Sequence, residues 1–203
     1  MPDPGMADWE AAAAVLDAAP ICHLAFVEAG EPRLLPALHA RLGTTLYFHG
    51  SPAGGVIGAA ASGEPVSISV VLLDGVAVAR SACHTALNYR SVLCRGRGRA
   101  VEDPAEVEAA LRAITDRVTP GVWETGRRPR PEEVAATAVV AVEVTACSLR
   151  MRSGPAVEDE ADRDGPGWSG LVPLHLQAGP AQAGPGVPPG TPSPQVLPGA
   201  TGR

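Results

Sequence analysis

From Ile21 to Val101 the chain is a run of short apolar segments, each cut off by a turn dipeptide, and this punctuation limits its fold more than any other feature. Ile21 to Glu28, Pro32 to Ala40 and Thr44 to His49 are separated by Ala29-Gly30 and Leu42-Gly43, which predicts an antiparallel meander. Pro65 to Leu73 and Val76 to Ala82 flank Asp74-Gly75, a dipeptide that tolerates positive φ and predicts a tight hairpin. A strand over about Asn88 to Val101 follows, and the Val-rich stretch Ala138 to Thr145 reads as the last one.

Helices fit between these segments. Asp8 is placed to cap a helix whose Trp9, Ala12, Ala13 and Leu16 share a face, and Ser51 to Ser62 reads as helical despite its glycines. Asp103 opens the clearest helix. Pro104 suits its first position, Glu106 is placed to complete a capping box, and Val107, Leu111, Ile114 and Val118 form its apolar stripe up to Pro120-Gly121. Pro131 starts a short helical turn. Seven or so strands with two or three helices make an α+β barrel.

Apolar residues are 45% of the chain but aromatics only 3%, so the core must be built from small side chains, mostly Ala and Val. The 203 residues suffice for one domain, over about 1–176. Residues 177–203 are dominated by Gly, Pro, Ala, Ser and Thr, so they are expected to be a disordered tail that adds nothing to folding.

The net charge is −6 and every basic residue is Arg, with no basic stripe, which argues against nucleic-acid binding. Arg95, Arg97 and Arg99 alternate with small residues, as along the exposed face of a strand. No stretch approaches the length of an apolar membrane span and no leader pattern opens the chain, so a cytoplasmic location is expected. Cys22, Cys83, Cys94 and Cys147 form no CxxC pair, so ordinary buried thiols are expected and no metal site is assigned.

Five stretches carry a resemblance: YFHGS (Tyr47 to Ser51), LLDGVAVARSACHTALNYRSV (Leu72 to Val92), the helix from Asp103, PGVW (Pro120 to Trp123) and RSGP to WSG (Arg152 to Gly170). Their order and spacing, from about Ile21 to Pro173, resemble the pyridoxamine 5′-phosphate oxidase-like proteins, in the branch with the nitroimidazole-resistance and flavin-nucleotide-binding proteins. The resemblance implies a split β-barrel of about six to eight mostly antiparallel strands. It further implies a homodimer with FMN in clefts between the subunits and a small-molecule substrate.

Carried over residue by residue, the resemblance nominates His49, Gly50, Ser51, Asn88, Tyr89, Arg90 and Ser91 as cofactor-binding, with His49 also catalytic. The chemistry of these residues agrees with that. Ser51 and Pro52 stand where a strand gives way to a helix, whose free N–H groups suit a phosphate. Arg90 offers a planar fork of donors to phosphate oxygens. One departure is plain: Gly54-Gly55 occupies the place where the family usually carries a basic residue.

Several residues have an ordinary structural reading beside the functional one. His49 is either a hydrogen-bonded strand-end histidine or a proton donor or acceptor beside the flavin. His84 fixes its turn or lines the site, and His23 and His39 read as core or surface histidines. Arg80 pairs with a carboxylate or touches the cofactor, while Glu158 to Asp164 reads as a solvated acidic loop. No nucleophile elbow, Walker loop or dinucleotide fingerprint is present. An FMN-dependent oxidoreductase is the leading expectation, with deazaflavin or haem as other cofactors. The alternatives are a non-catalytic flavin or haem carrier or sensor with a degenerate phosphate site, and a barrel that docks partners through its Pro-rich tail.

Overall fold

The computed structural model describes residues 9–52 and 55–197. Eight strands, all paired antiparallel, follow the order β2-β1-β5-β6-β7-β4-β3, with β8 attached to β5. The strands are β1 Ile21–Glu28, β2 Glu31–Leu38, β3 Ala40–Leu42, β4 Thr45–Gly50, β5 Pro65–Val78, β6 Ala86–Ala100, β7 Ala138–Arg152 and β8 Gly170–Pro173. Five α-helices join them: α1 Trp9–Ala18, α2 Gly55–Ala61, α3 Pro104–Val118, α4 Val122–Thr125 and α5 Pro131–Ala135. This is the expected α+β split barrel.

The meander is present, and its turns use the expected residues. Ala29 and Gly30 have φ of 51° and 83°, and Gly43 has 64°, so the chain reverses where left-handed backbone is tolerated. The segment expected as one strand from Pro32 to Ala40 divides at His39, giving β2 and β3. The last strand runs seven residues further than expected, to Arg152.

Asp74-Gly75 corrects the sequence reading. No hairpin forms there: β5 runs straight through, with a bulge between Leu73 and Gly75. Asp74 is the extra residue, and its carboxylate is taken by Arg90. Gly75 lacks a positive φ; its need for glycine comes from β8, since a Cβ would lie 2.9 Å from the Val172 carbonyl oxygen.

Two small-residue cores result. One packs α1 and α2 on Leu24, Phe26, Phe48, Ile68, Val70, Val92 and Val142, with the buried thiols Cys22, Cys94 and Cys147 among them. Burial pushes the Cys22 and Cys94 thiols up to about 12, as inert core groups; Cys83 is exposed. The other core sets Ala110 and Ile114 of α3 against Ala40, Tyr47, Val139 and Ala141. Arg95, Arg97 and Arg99 are exposed as expected, and the glycines between them are buried. Gly98 lets α2 rest on β6, because a Cβ there would be 1.7 Å from the Ala60 carbonyl oxygen.

Asp103 caps α3, accepting from the Ala105 and Glu106 amides at 3.4 and 3.3 Å. The capping box is not completed. Glu106 instead accepts from the Tyr47 hydroxyl at 2.8 Å and pairs with Arg99, a stronger charge-assisted contact. The cap expected from Asp8 lies outside the described residues.

His39 is 1% exposed and bonds the Leu16 carbonyl through Nε2 at 3.1 Å. Arg117 donates to the same carbonyl and to that of Ala19, closing the end of α1. Burial, the largest cause, lowers the His39 pKa from 6.5 to about 4, so the ring is neutral in the fold. Its contribution to stability is complete above the unfolded value of 6.5 and is lost as pH falls towards about 4. Linkage then gives a loss of about 2 kcal/mol by pH 5. Urea titrations at pH 7.5 and 5 should show this drop in wild type and a much smaller one in His39→Gln; equal slopes in both would contradict it.

Candidate functional site

The residues nominated from the sequence fall at two places on β7. His49 and Gly50 end β4, opposite Val139 and Ala138 at the start of β7. Tyr89, Arg90 and Ser91 lie on β6 opposite Arg152, Met151 and Arg150 at its far end. About eleven residues of strand separate the two groups, a contour of roughly 35 Å. A single phosphate cannot touch both groups of one chain.

At the first place, His49 is exposed on the sheet side that also carries Tyr47 and Val139. Although its surface is open to solvent, the protein atoms around the ring desolvate it and lower its pKa, which keeps the ring neutral near pH 7 and able to accept a proton. Gly50 is required by packing: a Cβ would meet Ile57 Cγ1 at 2.9 Å. Ser51 and Pro52 are exposed and lead towards α2, which has seven residues. Gly54, half of the expected departure from the family, lies outside the described residues.

At the second place, strand alternation splits the NYRS run. Asn88 and Arg90 share one face, Tyr89 and Ser91 the other. Asn88 is 4% exposed and structural: it donates to the Gly154 carbonyl at 2.9 Å and accepts from Arg152, which holds the loop after β7. Arg90 spends its fork on Asp74, Nε to Oδ2 at 2.9 Å and Nη2 to Oδ1 at 2.6 Å, leaving Nη1 outside the pair. Asp74 raises the Arg90 pKa further.

Ser91 faces outward, its hydroxyl donating to the Arg150 carbonyl at 3.4 Å. Arg150 itself is exposed directly across from Ser91, and among the described residues its guanidinium has no hydrogen-bond or ion-pair partner. Sequence reasoning missed it because β7 was expected to stop at Thr145, which left Arg150 in a loop. Alternation continued past Thr145 would have turned it inward with Val142 and Val144; the register shift opposite Arg95 and Gly96 sets it beside Ser91.

The other candidates are structural. Arg80 donates from its backbone and Nη1 to Glu158, at 2.8 and 2.9 Å, and from Nη1 to Ser169 at 2.9 Å. That pulls one carboxylate of the acidic loop onto the domain and holds its pKa below the usual range. His84 lies 4.0 Å from Asp159, and their donor atoms with one of Asp162 fall within 4.8 Å of one another. These groups are exposed or half-exposed, as in ordinary surface ion pairing.

A groove of about 400 Å³ that no sequence motif pointed to lies beside α3, α4 and α5. Val107, Leu111, Trp123, Pro129 and Val134 form its apolar wall, and Glu102, Glu108 and Arg128 its polar edge. The Arg128 guanidinium lies 5.1 Å from the Trp123 ring centre. None of the residues nominated for the cofactor lines this groove.

Comparison with known proteins gives the family and the fold. A family model described as pyridoxamine 5′-phosphate oxidase matches residues 8–151. No curated protein matches the sequence. Among solved structures, the FAD and heme binding protein from Mycobacterium smegmatis is 34% identical, covers 98% of each chain and superposes with a TM-score of 0.87. The flavocytochrome Anf3 from Azotobacter vinelandii is also 34% identical, over 96% of this chain and 90% of its own, with a TM-score of 0.83. A 5-nitroimidazole antibiotic resistance protein, so described as putative, from Bacteroides thetaiotaomicron shares the fold at 23% identity, 71% and 84% coverage and a TM-score of 0.60.

Proposed function

Because this chain belongs to the pyridoxamine 5′-phosphate oxidase family, we propose that it is a flavin-binding protein whose site is shared between two copies of the chain. The separation of the two residue groups along β7 carries this reading. A ligand that needs the His49–Ser51 end and the Ser91–Arg150 end must draw one from each copy. The outer sheet face supports a second copy as well. Leu34, Val27, Val71, Leu73 and Leu93 point outward there and are 47–62% exposed. Exposed apolar side chains on one face of a sheet are what a second copy would cover.

In this reading Arg150 holds the flavin phosphate, the Ser91 hydroxyl turns from the Arg150 carbonyl to donate to it, and Tyr89 flanks them on the same face. Arg90 is the cation suggested by resemblance; its bond to Asp74 orients it, with only Nη1 left for a phosphate oxygen. His49 of the other copy faces the ring or substrate as a neutral imidazole. The flavin, FMN or FAD, supplies electron transfer when bound, and the protein supplies binding and orientation. The oxidoreductase role on a small molecule and the cytoplasmic location belong to the same proposal.

A second reading adds haem. Two relatives at 34% identity are described as a flavocytochrome and as an FAD and heme binding protein. A flavin and haem carrier or sensor therefore stands beside the oxidoreductase, and a Soret band in the purified protein would favour it.

Heterodimers test the shared site. Copies carrying Arg150→Ala are combined with copies carrying Ser51→Asp, which sets a negative charge against the phosphate. If each site takes one end from each copy, the heterodimer keeps one site with wild-type flavin affinity and one doubly damaged site. If each site lies within one chain, the heterodimer has no wild-type site, and that result would overturn the proposal.

A further inference from the structure

The segment after β8 leaves the domain at a hydrogen bond from the Leu174 amide to the Asp74 carbonyl, 3.1 Å, and returns at one from the Leu197 amide to the Val118 carbonyl, 2.8 Å. Every residue from 175 to 196 is exposed. The segment contains no Asp, Glu, Lys or Arg, and it is punctuated by prolines and by two local turns, Gly184 to Val187 and Pro188 to Thr191. Its apolar side chains have no cover: Leu176 is 56% exposed, Val187 43% and Val196 37%.

Composition alone would leave such a segment as free coil, since fixing each residue costs about 1–2 kcal/mol and two tethers return little of it. Yet the chain superposes on the Mycobacterium smegmatis protein over 98% of both chains, which leaves no room to omit a segment of this length. The superposition of two sequences only 34% identical therefore runs through this segment, which forms no helix or strand in this chain. Something outside the chain's own surface must hold it.

We propose that residues 175–196 form a strap that lies across a second copy of this chain. The proposal rests on the dimer inferred above and adds what the tail does in it. Both ends are tied to the strap's own domain, so its exposed middle is free to pass over the neighbouring copy and come back. Leu176, Val187 and Val196 then pack on the partner. The prolines stiffen the segment before association, which lowers the entropy lost when it is ordered. The lack of charge fits burial against another protein surface. A different protein as the occupant would have to accompany both this chain and its relative; a second copy is always present.

The test uses the full-length protein with p-benzoylphenylalanine in place of Val187. Light and ¹⁵N-labelled subunits are mixed, irradiated and digested, and the cross-linked peptides are weighed. With equal light and heavy subunits paired at random, the strap predicts that about half of the cross-links join a light peptide to a heavy one. Sedimentation of the same sample separates the two ideas. A dimer whose cross-links are only within one chain, or absent, would overturn the strap and leave the dimer standing. A monomer at all concentrations would overturn both. As a second measurement, Val187→Asp in the full chain should raise the dimer dissociation constant about tenfold; an unchanged constant would also contradict the strap.

Discussion

Arg150→Ala is expected to weaken flavin binding about thirty- to a hundredfold while leaving the melting temperature within a degree or two of wild type. Binding suffers because a charge-assisted contact to phosphate in a partly desolvated cleft is worth roughly 2–3 kcal/mol. Stability does not, because the guanidinium is exposed and has no partner among the described residues. Arg150→Lys should recover only part of the affinity, since a point charge cannot reproduce the fork. Arg90→Ala serves as the comparison. Its loss breaks the pair that fixes the β5 bulge, so it should lower stability and affect flavin less. The opposite pattern, a larger affinity loss in Arg90→Ala with stability intact, would return the phosphate to Arg90. Arg80→Ala should change affinity least, because Arg80 is committed to Glu158 and Ser169.

The second large effect is on the fold. Gly98→Ala is expected to cost about 3 kcal/mol or more, because backbone has to move rather than a side chain. The new Cβ would sit 1.7 Å from the Ala60 carbonyl oxygen, so α2 must lift from β6. The same substitution one helix away gives the sign control. Gly58 lies inside α2, is exposed, and a Cβ there meets nothing within 4 Å. Gly58→Ala should therefore stabilise by about 0.5–1 kcal/mol through helix propensity alone. Denaturant midpoints for the two variants should move in opposite directions. Two shifts of the same sign would mean that α2 does not rest on Gly98 as described.

These glycines show where the sequence was readable. Period-two alternation and turn dipeptides located most strands, and the Asp103-Pro104 start located α3, because those signals are local. Asp74-Gly75 misled for the same reason. Its dipeptide suits a turn in isolation, but the demand on Gly75 comes from β8, about a hundred residues later in the chain. Glu106 is a similar case. Three residues after Asp103 it fits a capping box, yet Tyr47 and Arg99 compete for its carboxylate and are visible only once β4, β6 and α3 are assembled.

The candidate site divides in the same way. The motif NYRSV pointed to β6, but a motif gives no facing, and alternation sends Asn88 and Arg90 away from Tyr89 and Ser91. Whether a charge is free depends on its partners, and the sequence did not show that Arg90 meets Asp74 or that Arg150 meets none among the described residues. The distance between His49 and Ser91 was hidden as well, because both are measured along β7, whose true length was underestimated by seven residues.

Flavin titration of the full-length dimer tests the central claim most directly. Purified protein, stripped of pigment and checked for dimer mass, is titrated with FMN and with FAD while flavin fluorescence is followed. A flavin site shared by two copies predicts saturable quenching by at least one of them, with one flavin per chain and loss of that site in Arg150→Ala. No saturable binding of either flavin to the intact dimer, or undiminished binding to the dissociated monomer, would contradict it.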